Sequence, residues 1–94
     1  MFKDLDPLLH SQLRLAIMSL LMAQPSADFS QVKEKTGATS GNISVQIKKL
    51  QKAGYLTVEK SFENNYPKTT LTITKVGLKA FETYVEELKK YIQP

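Results

Sequence analysis

The chain has 94 residues, a net charge of +4, a single histidine and no cysteine. That length suits one small domain, burying roughly 60–65% of its unfolded surface, so a second subunit's surface would be useful. Without thiols there are no disulfides, thiolate metal sites or cysteine nucleophiles, and His10 alone makes a poor zinc site, so no metal or other cofactor is expected.

From Pro7, a suitable first-turn residue, Leu9, Leu13, Ala16, Ile17, Leu20 and Leu21 recur at helical spacing. Leu15, Met18 and Met22 form a second apolar stripe, and a helix apolar on two faces is covered on both. In so small a chain the second cover is expected to be another copy. The run Leu15–Ala23 is far short of the roughly 20 residues of a membrane span. Asp4 and Asp6 stand where a secretion signal needs positive charge, so a cytoplasmic protein with no membrane partner is expected. Gln24-Pro25-Ser26 ends this first helix.

Ser30 is a candidate cap for a short second helix that turns Phe29 and Val32 inward and stops at Thr36-Gly37. Gly37-Ala38-Thr39 leads into a third, capped by Thr39, with Ile43, Ile47 and Leu50 on one face and Gly54 as its stop. Two helices joined by so short a glycine-containing turn read as a helix-turn-helix. Tyr55–Phe62 and Thr69–Ile73 then alternate as strands around the turn cluster Glu63–Pro67, giving an antiparallel hairpin. Thr74 caps a last helix carrying Leu78, Phe81, Val85, Leu88 and Ile92, flanked by Tyr84 and Tyr91. This stripe continues past what a small core could cover. Packing within one chain and pairing with a second copy are both open to it; pairing is preferred.

The charge is unevenly spread. From Lys33 to Lys68 there are seven lysines against three glutamates, which accounts for the whole net charge; the rest of the chain is balanced. Such a segment attracts phosphates and releases counterions, although lysines also simply solvate helix faces. The outer side of the third helix presents Gly41, Val45, Lys48, Lys49 and Lys52, flanked by Asn42, Ser44 and Gln46. Asn and Gln can pair bidentately with adenine, Ser can bond a base or a phosphate, and Val can meet a thymine methyl. Thr39, Ser40 and Gly41 open the helix with free amides suited to a phosphate. In the hairpin, Lys60 and Lys68 are the charged candidates.

The stretch from Thr39 to Leu56 resembles the recognition helix and first wing strand of winged-helix regulators related to the MarR and ArsR types, in particular a short stand-alone group. Leu5-Asp6-Pro7-Leu8-Leu9-His10 and Leu71–Phe81 fit that group as well. The resemblance implies a mainly α fold with a small β-hairpin, in the order α-α-α-β-β-α, as one winged helix-turn-helix domain over residues 1–94. Within it, residues 30–53 are the helix-turn-helix and 55–73 the wing. It further implies a homodimer on an inverted repeat of double-stranded DNA, joined through residues 1–24 and 74–94. Leu15, Met18, Met22, Phe81, Tyr84, Val85, Leu88, Tyr91 and Ile92 are the expected interface.

Two departures stand out. The wing carries no arginine where the group usually has them, and the extra helices that surround a ligand pocket in larger relatives are missing. A small apolar effector between the dimer helices is conceivable on the surplus apolar surface alone. A protein-interaction module is the alternative function, since a fold does not fix a role. An enzyme is not expected. There is no nucleophile–base pair and no glycine-rich phosphate loop, and Glu82 and Glu86 read as helix-surface partners of Lys79, Lys89 and Lys90.

Overall fold

The structure, a computed structural model, describes residues 2–93. Asp6 organises the entry to the fold: its backbone carbonyl accepts from the amides of Leu9 and His10, and its carboxylate accepts from the Leu8 amide at 2.9 Å. This local turn competes with helix formation, so α1 runs from Gln12 to Ala23 rather than from Pro7. Leu9 nevertheless reaches the core, fully buried, from the turn.

After α1 the chain makes a strand that hydrophobic periodicity did not reveal. β1 (Ser26–Asp28) pairs antiparallel with β3 (Tyr66–Ile73), which pairs along its other edge with β2 (Leu56–Glu63). The expected hairpin is therefore part of a three-stranded sheet in the order β1-β3-β2. α2 (Phe29–Thr36) begins one residue before Ser30, because Asp28 is its cap. The Asp28 carboxylate accepts from the Gln31 amide at 2.8 Å and the Gln31 side chain accepts from the Asp28 amide at 3.0 Å, a reciprocal capping box. Gly37 closes α2 in the left-handed conformation.

α3 (Ser40–Lys52) is capped by Thr39 as expected, and Ile43, Ile47 and Leu50 are buried. The hairpin turn is confined to Asn64 and Asn65, at φ of 52° and 67°, a two-residue turn matched to the twist of its strands. α4 (Lys75–Ile92) begins at Thr74, whose hydroxyl accepts from the Gly77 amide and donates to the Gly54 carbonyl. Four helices and a small antiparallel sheet thus make a winged helix.

The core joins Ile17, Met18 and Leu21 of α1 to Val32, to Ile43, Ile47 and Leu50 of α3, to Leu56 and Leu71 of the sheet and to Tyr84 of α4. Two residues expected at a dimer interface lie inside this core. Met18 is fully buried, and Tyr84 is buried with its hydroxyl 3.1 Å from His10 Nδ1. Both have their surface used up within one chain, because α4 turns Gly77, Ala80, Phe81, Tyr84 and Leu88 toward the body of the domain. Leu15, Phe81 and Leu88 pack against the core from its edge, and Met22 and Val85 are half-buried. Leu78, Tyr91 and Ile92 remain exposed, Ile92 at 70%.

Candidate nucleic-acid interface

α3 has no acidic residue. Its inward stripe fixes its rotation about its own axis, so Gly41, Asn42, Val45, Lys48, Lys49 and Lys52 all stand exposed on the other side. Val45, the apolar residue on an otherwise polar face, is half exposed. The face is therefore oriented as the sequence suggested. Thr39 Oγ1 accepts from the Asn42 amide at 3.2 Å, and as first-turn groups the Ser40 and Gly41 amides have no acceptor within the helix.

Gln46 is held differently from the expectation of a free amide. Arg14, reaching across from α1, donates through Nη1 to Gln46 Oε1 and through Nε to the Leu8 carbonyl at 2.6 Å. Gln46 Nε2 in turn donates to Asn42 Oδ1 at 3.0 Å. Gln46 Oε1 and one of the two Nε2 hydrogens are engaged within the protein, which leaves the second Nε2 hydrogen and the Asn42 amide nitrogen as the donors of the relay without a partner among the described residues. The chain's only arginine is thus a positioning group behind the reading face. Sequence reading missed it, although a lone arginine beside a long apolar run is a signal that it has an acceptor to find.

The wing divides into two faces because successive strand residues alternate. Leu56–Ile73, Val58–Leu71, Lys60–Thr69 and Phe62–Pro67 are paired on the side that includes the core residues Leu56 and Leu71. Thr57, Glu59, Ser61 and Glu63, with their partners Thr72, Thr70, Lys68 and Tyr66, lie on the other. Lys60 and Lys68, the two charged candidates of the hairpin, are therefore on opposite faces. Lys60, Val58 and Thr69 line an open groove of about 350 Å³ with Ser44, Ile47, Lys48 and Gln51 of α3.

Lys68 instead pairs with Glu63 at 3.0 Å, and that carboxylate's hydrogen bond, with its charge, raises the Lys68 pKa. The other ion pairs among the described residues are Lys89–Glu86 and Lys90–Glu87 on α4. None involves Lys48, Lys49, Lys52 or Lys60. The result is a continuous face of unpaired positive charge from α3 to the inner side of the wing.

Behind this face, Tyr55 at the start of the wing ties the hairpin to the entry turn. Its hydroxyl donates to the Asp6 carboxylate, and burial, then the bond to Asp6 and its charge, pushes the Tyr55 pKa up to about 12. Among the described residues no three His, Asp or Glu side chains cluster as metal ligands, and no helix is long and apolar enough to cross a membrane.

A model of the winged helix DNA-binding domain family matches residues 13–92. An uncharacterized protein of Methanocaldococcus jannaschii is 34% identical over 79 residues, covering 84% of this chain and 86% of that protein. A transcriptional regulator homologue from Pyrococcus horikoshii OT3 is similar at 29% identity and a TM-score of 0.85, over 90% of this chain and 84% of its own. The PcaV transcriptional regulator of Streptomyces coelicolor shares the fold at 20% identity and a TM-score of 0.78. There 88% of this chain corresponds to only 60% of PcaV.

Proposed function

The chain belongs to the winged helix DNA-binding domain family, and we propose that it acts as a homodimeric, sequence-specific transcriptional regulator with α3 in the major groove of double-stranded DNA. The observation that carries this reading is the exposed face of α3, which combines Asn42 and Val45 with Lys48, Lys49 and Lys52 and no acidic residue. Asn42 offers a donor to base acceptors and Val45 an apolar contact for a thymine methyl. Ser44 and Gln46 frame these two, Gln46 from its place between Arg14 and Asn42. Lys48, Lys49 and Lys52 with Lys60, and the helix start at Thr39, Ser40 and Gly41, contact phosphates and set the register. Lys68, facing away and paired, contributes little.

Dimerisation is supported by apolar surface that one chain leaves uncovered. Leu78, Tyr91 and Ile92 of α4 are exposed and Val85 is half-buried, and Leu15 and Met22 of α1 keep partial exposure. Two copies joined there would offer two recognition helices to half-sites about one helical turn, ~34 Å, apart. Two measurements test the reading. Selection from genomic fragments at low salt is expected to recover an inverted repeat bound with steep salt dependence. Sedimentation is expected to give a dimer that Val85→Glu converts to monomer. Failure to retard any fragment at low salt overturns the DNA reading; a monomeric wild type overturns the dimer.

A further inference from the structure

The tip of the wing carries two bare aromatic rings, Phe62 at 78% and Tyr66 at 75% exposed. They are not equivalent. Phe62 lies opposite Pro67 on the face of the hairpin shared with α3, the next rung outward after Lys60 and Thr69. Tyr66 lies opposite Glu63 on the reverse face, beside the Glu63–Lys68 ion pair. An exposed phenylalanine backed by proline at the end of a polar hairpin has nothing among the described residues to cover it.

We propose that Phe62, supported by Pro67, is an apolar wedge that the wing presses into the minor groove flanking the site read by α3, partly unstacking a base step there. The inference rests on the DNA-binding reading above. At about 3.3 Å per strand residue, Phe62 reaches ~7 Å beyond Lys60. Lys60 in the α3 groove then meets the intervening phosphates, and Phe62 passes them toward the neighbouring groove. Both hairpin carboxylates, Glu59 and Glu63, are on the reverse face, so nothing on the advancing face repels DNA. The hairpin has no arginine to insert, and phenylalanine and proline are among the apolar side chains suited to insertion between base steps. The short Asn64-Asn65 turn keeps the tip narrow.

The test uses the full chain and a fragment that the wild type retards, labelled at its ends for energy transfer and carrying 2-aminopurine in the flanking minor grooves. The wild type is expected to bend the fragment and to brighten 2-aminopurine at one flanking step. Phe62→Ser is expected to lose about tenfold in affinity, most of the bend and the brightening, while the slope of affinity against salt stays the same because no charge is removed. Phe62→Leu, still able to wedge, keeps most of each signal, and Tyr66→Ser leaves them unchanged. Wild-type binding and bending by Phe62→Ser overturns the wedge while leaving the DNA reading intact. Equal losses in Tyr66→Ser overturn it too, by assigning the effect to the hairpin as a whole. Loss of self-association in Phe62→Ser would instead make the ring a protein contact, and a wild type that binds no fragment removes the underlying reading itself.

Discussion

Gly77 of α4 gives a test in which two rules predict opposite signs. Helix propensity says that Gly77→Ala should stabilise, by about 1 kcal/mol. The structure says otherwise. A Cβ at Gly77 would lie 2.0 Å from the Tyr55 carbonyl oxygen, 2.8 Å from its carbon and 3.0 Å from its Cα. These are backbone atoms and cannot swing aside as a side-chain tip can. The Tyr55 carbonyl also accepts from the Thr74 amide at 3.1 Å, and Thr74 caps α4 through the Gly77 amide at 3.0 Å. Relief of the clash therefore moves α4 away from the Tyr55 backbone and loosens a cap worth about 1 kcal/mol. Overpacking adds ~1–3 kcal/mol. The net expectation is a loss of about 2 kcal/mol, which in a domain of this size lowers Tm by roughly 10 °C. Urea and thermal unfolding followed by circular dichroism measure it. Gly41→Ala is the control: the same change in α3, where an added Cβ meets nothing within 4 Å, is expected to be neutral or stabilising. A Gly77→Ala variant as stable as the wild type would refute the close approach and with it the seating of α4 against Tyr55.

Three further outcomes are expected. Lys60→Ala should reduce the slope of log affinity against log salt by about one, as loss of one phosphate contact does, whereas Lys68→Ala, already neutralised by Glu63, should barely change it; equal slopes for the two would contradict the division of the wing into two faces. Arg14→Met frees Gln46 and is expected to narrow the gap between the selected site and scrambled DNA about tenfold, roughly one base pair's worth of discrimination, with little change in salt slope; an unchanged gap would remove Arg14 from the reading face. Tyr55 has its pKa raised from 10.0 to about 12, so the fold favours its neutral form. The stability it contributes is complete below pH 10 and is lost as pH rises toward 12. The stability difference between wild type and Tyr55→Phe should shrink over that window, and a difference independent of pH would count against the bond to Asp6.

How much of this was legible depended on the range over which the deciding interaction acts. α3 was readable in full because everything that fixes it is local: Thr39 at its start, Ile43, Ile47 and Leu50 along one side, Gly54 after its end. The correct cap of α2 was equally local. Asp28 followed three residues later by Gln31 is a capping-box spacing, and Ser30 lacks such a partner. β1 was a different case. Three residues after a proline carry no periodicity, and Ser26–Asp28 is a strand only because the exposed edge of β3 supplies it with partners some 45 residues away in sequence.

The candidate site divides along the same line. Exposure of Val45 and the lysines follows from the phase of one helix, which the sequence contains. What modifies those residues comes from afar. Arg14 lies 32 positions from Gln46, so no local pattern reports that the glutamine is held. Met18 and Tyr84 looked like interface because helical spacing tells which residues share a face and not which face meets the body of the domain; on α4 the close approach of Gly77 to the Tyr55 backbone fixes part of that answer. With α4 docked through Gly77, Ala80, Phe81 and Tyr84, Leu78 and Ile92 turn out, and their apolar surface stays uncovered among the described residues.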